Sequence, residues 1–231
     1  MWAIAAKVGD NEFILPSPLS TLKKTGELLA DKAVYVAFGG TLLRTFAAWA
    51  ISLAIAAALA VAGKFFPPIG RLLSPLVSVV RALPTMSVVL LLVIWTNASA
   101  APVIVAILVV MPTTYAALKA AIDSVDPALT EMCRVYGVPK SKVFAQIYLP
   151  CVIRAVALPI SSSLSLTLKL MVAAEVLAST ARSLGGLMNM SKLYYETAAL
   201  MALTVLTIVV ALLLETALYR IIKLFFKEER A

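Results

Sequence analysis

The sequence predicts an all-α polytopic membrane protein, and three observations predict it. Of its 231 residues, 62% are hydrophobic and only 14% are charged, whereas a soluble domain is about 45–50% apolar. The apolar residues come in blocks of roughly 20–25, the length that crosses about 30 Å of hydrocarbon. Most basic residues gather at the ends of those blocks, where they set membrane topology. Mean hydropathy is +0.98. The blocks are continuous rather than alternating, which argues against a transmembrane β-barrel.

The elements follow in order. Residues 1–36 form an extracytoplasmic N-terminal segment. It opens on a short apolar stub, Met1–Val8, which lacks the basic leader and apolar run of a signal peptide. Five spans are expected after it. The first is Ala37–Ala62, where Ala54, Ala56, Ala57, Ala58, Ala60 and Ala62 let helix backbones approach closely. The second is Leu83–Trp95, extended backwards through Ser74–Val80. The third is Ala101–Ala121, the fourth Val152–Leu177 and the fifth Ala198–Leu218. The membrane domain thus covers 37–223, and 224–231 form a tail.

Charge orients the spans. Lys64 and Arg71 follow the first. Lys119, Arg134, Lys140, Lys142 and Arg154 surround the polar loop 123–150. Arg220, Lys223, Lys227 and Arg230 follow the last, and the turn Thr96–Ala100 carries no charge. The positive-inside rule places the loop and the C-terminus in the cytoplasm. An odd number of spans then puts the N-terminus outside. Arg182 and Lys192 run mildly against the rule. The net charge of +8 is read as this topology rather than as a nucleic-acid face. The chain has no histidine, which removes the commonest general base and metal ligand. It has no phosphate-binding G-x-x-x-x-G-K-[ST] loop. Its two cysteines, Cys133 and Cys151, lie in or beside the cytoplasmic loop, where no structural disulfide is expected.

The polar loop carries the most information. Asp126-Pro127 is a helix start, an acid to cap free amides and a proline suited to the first turn. The helix is expected to reach about Tyr136, with Gly137 as its left-handed stop. Pro139 opens a second short helix through Phe144, ending before Leu149-Pro150. The predicted elbow has Val135, Val138, Val143 and Phe144 on its apolar face. Glu131, Arg134, Lys140 and Lys142 form its polar face.

Glu131, Met132, Cys133, Gly137, Ile147, Leu149 and Pro150 resemble the E-A-A-x-x-x-G…I-x-L-P loop of ATP-binding-cassette (ABC) importer permeases. Met and Cys stand where that loop has two alanines. Further elements resemble the nitrate/sulfonate/taurine branch. They are Leu15-Pro16-Ser17-Pro18, Pro75-Leu76, Arg81-Ala82-Leu83-Pro84, Val125-Asp126-Pro127, Lys169, Ala174-Glu175, Leu184-Gly185 and Glu215. Two features depart from that branch. Its extra N-terminal span is shortened to Met1–Val8, and its W-F-G reads Trp95-Thr96-Asn97.

The resemblance implies a type I ABC importer transmembrane domain with a cytoplasmic coupling-helix loop, in a prokaryotic cell membrane. It implies ATPase subunits, a second permease copy as a homodimer, an extracytoplasmic substrate-binding protein and the lipid bilayer as partners. ATP and Mg would be bound by the ATPase, with no cofactor and no catalytic or metal site in this chain. Glu131, Met132, Cys133, Arg134, Gly137, Lys140, Ile147, Leu149 and Pro150 would contact that ATPase.

The fourth span is rich in hydroxyls after Pro159. Ser162, Ser165 and Lys169 fall at i, i+3 and i+7, one stripe of a helix. A lysine inside a span faces a partner or a wet cavity. The stripe either lines a translocation pathway, or its hydroxyls bond to the preceding turn while Lys169 pairs with Glu175 or Glu215. Thr85, Ser87, Thr113 and Thr114 are further lining candidates, and Glu175 a candidate gate. Pro84 and Pro112 are candidate kinks. The cargo is open between a small organic or oxyanion solute and a vitamin precursor of pyrimidine or riboflavin type. From another class, a passive channel or scaffold with a cytosolic partner also fits the loop.

Overall fold

The computed structural model describes residues 16–225, apart from the side chains of Lys140 and Phe225. Met1–Val8, Leu15, Lys227 and Arg230 lie outside the described residues. The fold is all-helical. In chain order the helices are α1 (Pro18–Ala30), α2 (Lys32–Phe65), α3 (Pro67–Ala82), α4 (Thr85–Trp95) and α5 (Ala101–Asp123). They continue with α6 (Pro127–Val135), α7 (Lys140–Val143), a π-turn (Phe144–Tyr148), α8 (Leu149–Ala178), α9 (Leu184–Leu193) and α10 (Thr197–Phe225). Four helical runs are long and apolar enough to cross a membrane: α2, α5, the run ending in α8, and α10. The pair α3 and α4 makes a fifth if counted as one bent span.

Local chemistry explains the boundaries. Ser17 caps α1 by accepting from the Ser20 amide at 3.1 Å, with Pro18 in the first turn. Asp31 closes α1 and opens α2, its Oδ1 accepting from the Ala33 amide at 2.9 Å. Asn97, at the position that departs from the family pattern, accepts from the amides of Ser99 and Ala100 just before α5.

Two expectations are corrected. The second span is not one continuous helix from Ser74 to Trp95; it breaks between α3 and α4. Pro84 is the cause, because a proline pushes the preceding residue out of the helical region. Leu83 accordingly is extended, at φ −65° and ψ 131°. Pro112, by contrast, stays inside α5. The second elbow helix likewise does not end before Leu149 and Pro150. It widens into the π-turn, where the Leu149 amide reaches back to the Phe144 carbonyl, and then continues as α8. Such a bulge relieves the clash between a proline ring and the carbonyl one turn earlier.

The chain forms two compact units. One holds the described residues to Ala48, with Pro84–Ala106 and Ser165–Leu213. At its centre Glu175 of α8 is fully buried. Its carboxylate accepts from Thr41 Oγ1 at 2.8 Å, from Arg44 Nε at 2.9 Å and from the Gly185 amide at 3.2 Å. Arg44 Nη2 completes an ion pair at 2.8 Å. Thr41 Oγ1 in turn accepts from the Leu184 amide at 2.9 Å. The start of α9 thus offers the Gly185 amide to a buried anion, which the helix dipole favours. A side chain at Gly185 would sit 2.4 Å from Glu175 Cβ, so only glycine admits this approach.

The other unit holds Trp49–Leu83, Ile107–Leu164 and the residues from Leu214 onward. Its core joins Ala56 and Ala60 of α2, Val77 of α3, Tyr115, Leu118 and Ile122 of α5, and Val156 of α8. Ala56 and Ala60 pack as expected, with Ala57 half-buried against them, whereas Ala54 and Ala58 are exposed. Trp49 Nε1 also donates to Ser163 Oγ at 2.9 Å, tying α2 to α8.

Removing one partner of a buried ion pair leaves an uncompensated charge and costs about 3–5 kcal/mol. Glu175→Ala should therefore lower the thermal midpoint of the detergent-purified protein sharply. Gly185→Ala should do the same by steric displacement of Glu175, while Lys142→Ala, at an exposed position, should leave the midpoint unchanged.

Candidate functional site

The polar segment between α5 and α8 folds into a self-contained elbow. Asp126 accepts from the Ala128 amide at 2.8 Å and Pro127 takes the first turn of α6. Gly137 has φ +66°, the left-handed conformation that glycine adopts without steric penalty. Around it the Gly137 amide donates to the Arg134 carbonyl at 3.2 Å and the Val138 amide to the Cys133 carbonyl at 2.9 Å. These two bonds make a Schellman stop, which satisfies the last carbonyls of the helix. The Pro139 carbonyl then receives the Lys142 and Val143 amides and starts α7.

The elbow is anchored by aromatic side chains. Phe144 lies 6.1 Å from Phe65 at the end of α2 and 6.5 Å from Tyr148. Lys64 Nζ stands 5.7 Å from the Tyr148 ring centre. Between the two arms lies a groove of about 650 Å³, lined among others by Phe65, Thr130, Glu131, Arg134 and Phe144.

The predicted contact residues separate by exposure. Cys133 is buried and anchors α6. Glu131 and Arg134 are exposed and pair with each other at 2.8 Å. Met132, Val135 and Tyr136 are 50%, 76% and 79% exposed, an apolar crest with no cover in this chain. Val135 thus points outward, whereas Val138, Val143 and Phe144 are half-buried. Ile147 and Pro150 are half-buried and Leu149 is exposed. The side chain of Lys140 lies outside the described set.

The predicted pathway residues do not form one exposed stripe. Ser162 donates to Glu215 Oε1 at 2.7 Å. Ser165 is buried, and its hydroxyl has no hydrogen-bond partner among the described residues. Lys169 is exposed. It pairs with neither Glu175 nor Glu215, since Arg44 takes the first and Ser162 the second. Lys169 shares an outward face of α8 with Leu158, Leu166, Ala173 and Leu177, all exposed. Thr113 and Thr114 donate back to the Val110 carbonyl at 2.8 and 2.9 Å, as hydroxyls in helices commonly do. Thr85 is half-buried in the first turn of α4, and Ser87 is exposed. Glu175 has no solvent exposure and forms a structural bridge within its unit.

Residues 44–230 match the family described as the binding-protein-dependent transport system inner membrane component. The chain belongs to this family. It is therefore a permease of the ABC importer class, a transport subunit whose family draws its ATP hydrolysis from a partner chain. A solved structure, that of an amino acid ABC transporter with histidines, is similar at a TM-score of 0.66 and 18% identity. The match covers 91% of the permease and 97% of that chain, and it supports the fold. No curated protein matches the sequence.

Sequence reasoning missed the partners of Glu175. Arg44 lies inside the apolar run of the first span, and that was the available signal, because a buried cation in a span needs a named counter-charge. Thr41 lies three residues earlier, on the same helix face.

The left-handed conformation costs a residue with a Cβ about 1–2 kcal/mol. Gly137→Ala should therefore loosen the elbow without unfolding the permease. Hydrogen exchange should accelerate at the Gly137 and Val138 amides and stay unchanged in α5 and α10.

Proposed function

We propose that this permease carries a small organic or oxyanion solute and that its elbow is the contact for an ABC ATPase. The solute would be handed over by an extracytoplasmic binding protein. The single observation behind the coupling role is the crest Met132, Val135 and Tyr136 on a helix that is capped at both ends. An exposed apolar crest between charged flanks is the composition of a protein contact, with aromatic and Met side chains at its centre. The loop's backbone already satisfies itself, so these side chains are free for a partner. ATP would close the ATPase dimer and draw two elbows together, switching the spans between inward- and outward-facing states. Differential contact with the two states is what makes such a shift possible. The positive-inside pattern supports a cytoplasmic elbow, which the ATPase contact requires.

Lys169 supports the rest of the pathway. A lysine among leucines on the outer face of a span is expensive against lipid. A second copy of the permease facing it across a wet cleft removes that expense. The basic residue at Lys169 is shared by the branch across different substrates, so the binding protein is the main selector of cargo.

Two experiments test this reading. Val135→Asp with Tyr136→Asp should abolish co-purification of the ATPase and ATP-driven uptake in proteoliposomes, with the permease still folded. Intact co-purification would sink the docking role. Lys169→Met should lower uptake of an anionic cargo while leaving assembly unchanged; loss of assembly instead would assign Lys169 to packing between copies.

A further inference from the structure

A second charged site lies apart from the elbow crest and from the α8 stripe. The ends of α2, α3 and α5 enclose a pocket of about 380 Å³. Lys64, Arg71 and Lys119 line it, and Asp123 is the one carboxylate among its lining residues. Asp123 Oδ2 takes Lys119 at 2.9 Å and its Oδ1 takes Lys64 at 3.6 Å. Arg71 is exposed and makes no ion pair among the described residues. Three cations against one anion leave about two positive charges uncompensated, in a wall that also carries the hydroxyls of Ser74 and Tyr115.

The walls are close-packed. A Cβ on Gly70 would lie 2.8 Å from the Gly63 carbonyl oxygen, so these glycines bring the end of α2 against the start of α3. Tyr115 is buried beneath, its hydroxyl 3.8 Å from the Cβ position of Gly63. Lys64 lies in the last turn of α2 and Lys119 about one turn before the end of α5, both near the ends of membrane-spanning helices, where lipid headgroups lie. Beside Arg71 on α3, Ile69, Leu72 and Leu76 are 41%, 71% and 60% exposed at spacings of three and four residues. They make an apolar face next to the cations.

We propose that this pocket binds the phosphate of an anionic phospholipid, with the acyl chains along the exposed face of α3. The three cations and two hydroxyls match a phosphate diester and its neighbouring headgroup oxygens. A free phosphate would use the same cations but leave Ile69, Leu72 and Leu76 uncovered; an amphiphile uses both. Basic pockets between membrane helices take anionic headgroups in this way. Arg71 is the residue to vary, since no ion pair inside the protein depends on it. The inference rests on the membrane placement alone, so failure of the ATPase test would leave it standing.

The test is native mass spectrometry of the purified permease with phosphatidylglycerol and phosphatidylcholine added in turn. The unaltered protein should retain phosphatidylglycerol preferentially. Arg71→Gln should lower that preference about fivefold, the effect of one cation at a lipid surface. Arg71→Lys should restore most of it, and Lys142→Gln on the elbow should leave it untouched. Equal phosphatidylglycerol retention by Arg71→Gln and the unaltered protein would overturn the site. Displacement of the lipid by millimolar inorganic phosphate would overturn the lipid assignment and make the ligand a soluble anion.

Discussion

Every backbone amide and carbonyl that enters hydrocarbon has to find its partner inside the protein, because no water is there to supply one. The rest of this fold follows from that constraint. It makes the spans helical and lets them run long: α2 has 34 residues and α8 has 30, where about 20 suffice to cross. It also dictates how prolines are absorbed. Pro84 breaks a helix into two pieces, while Pro150 is accommodated by a π-turn and the helix goes on. The hydroxyls of Thr113 and Thr114 close back on their own helix for the same reason.

The same constraint divides the polar side chains into two kinds. Inside the units most are engaged, the buried Ser165 hydroxyl being an exception among the described residues. Glu175 has three hydrogen-bond donors around one carboxylate, from α2 and from the start of α9. A buried charge of this kind is weak as a source of stability but severe when its partner is lost. It therefore specifies how α2, α8 and α9 meet. Those outside are left open. The elbow closes its own backbone with an aspartate cap and a glycine stop. Met132, Val135 and Tyr136 are then free of structural duty. A docking surface that does not need its partner in order to fold loses little entropy on binding, which favours the complex.

Much of this was legible in the sequence, and the reasons are physical. Apolar blocks, basic flanks and Asp126-Pro127…Gly137 each carry a local signal that needs no tertiary context. Pro84 is legible as a kink, and the structure makes it a full break, with Leu83 extended before it. The end of the second elbow helix was misplaced because proline was read as a stop. A π-turn removes the clash that makes it one. The stripe of Ser162, Ser165 and Lys169 has the right helical period, yet period alone does not say which neighbours are near. Glu215 takes Ser162, the core takes Ser165, and only Lys169 stays outward. Arg44 as the partner of Glu175 required two residues 131 positions apart to be brought together.

The central claim is that the elbow crest, and not another surface of the permease, meets the ATPase. A photo-crosslinking amino acid placed at Tyr136 in the working importer tests it most directly. Illumination should join the permease to an ATP-hydrolysing subunit, with the same group at Trp95 joining it to no such subunit. A crosslink from Trp95 to the ATPase, or none from Tyr136 in an importer that still transports, would contradict the account.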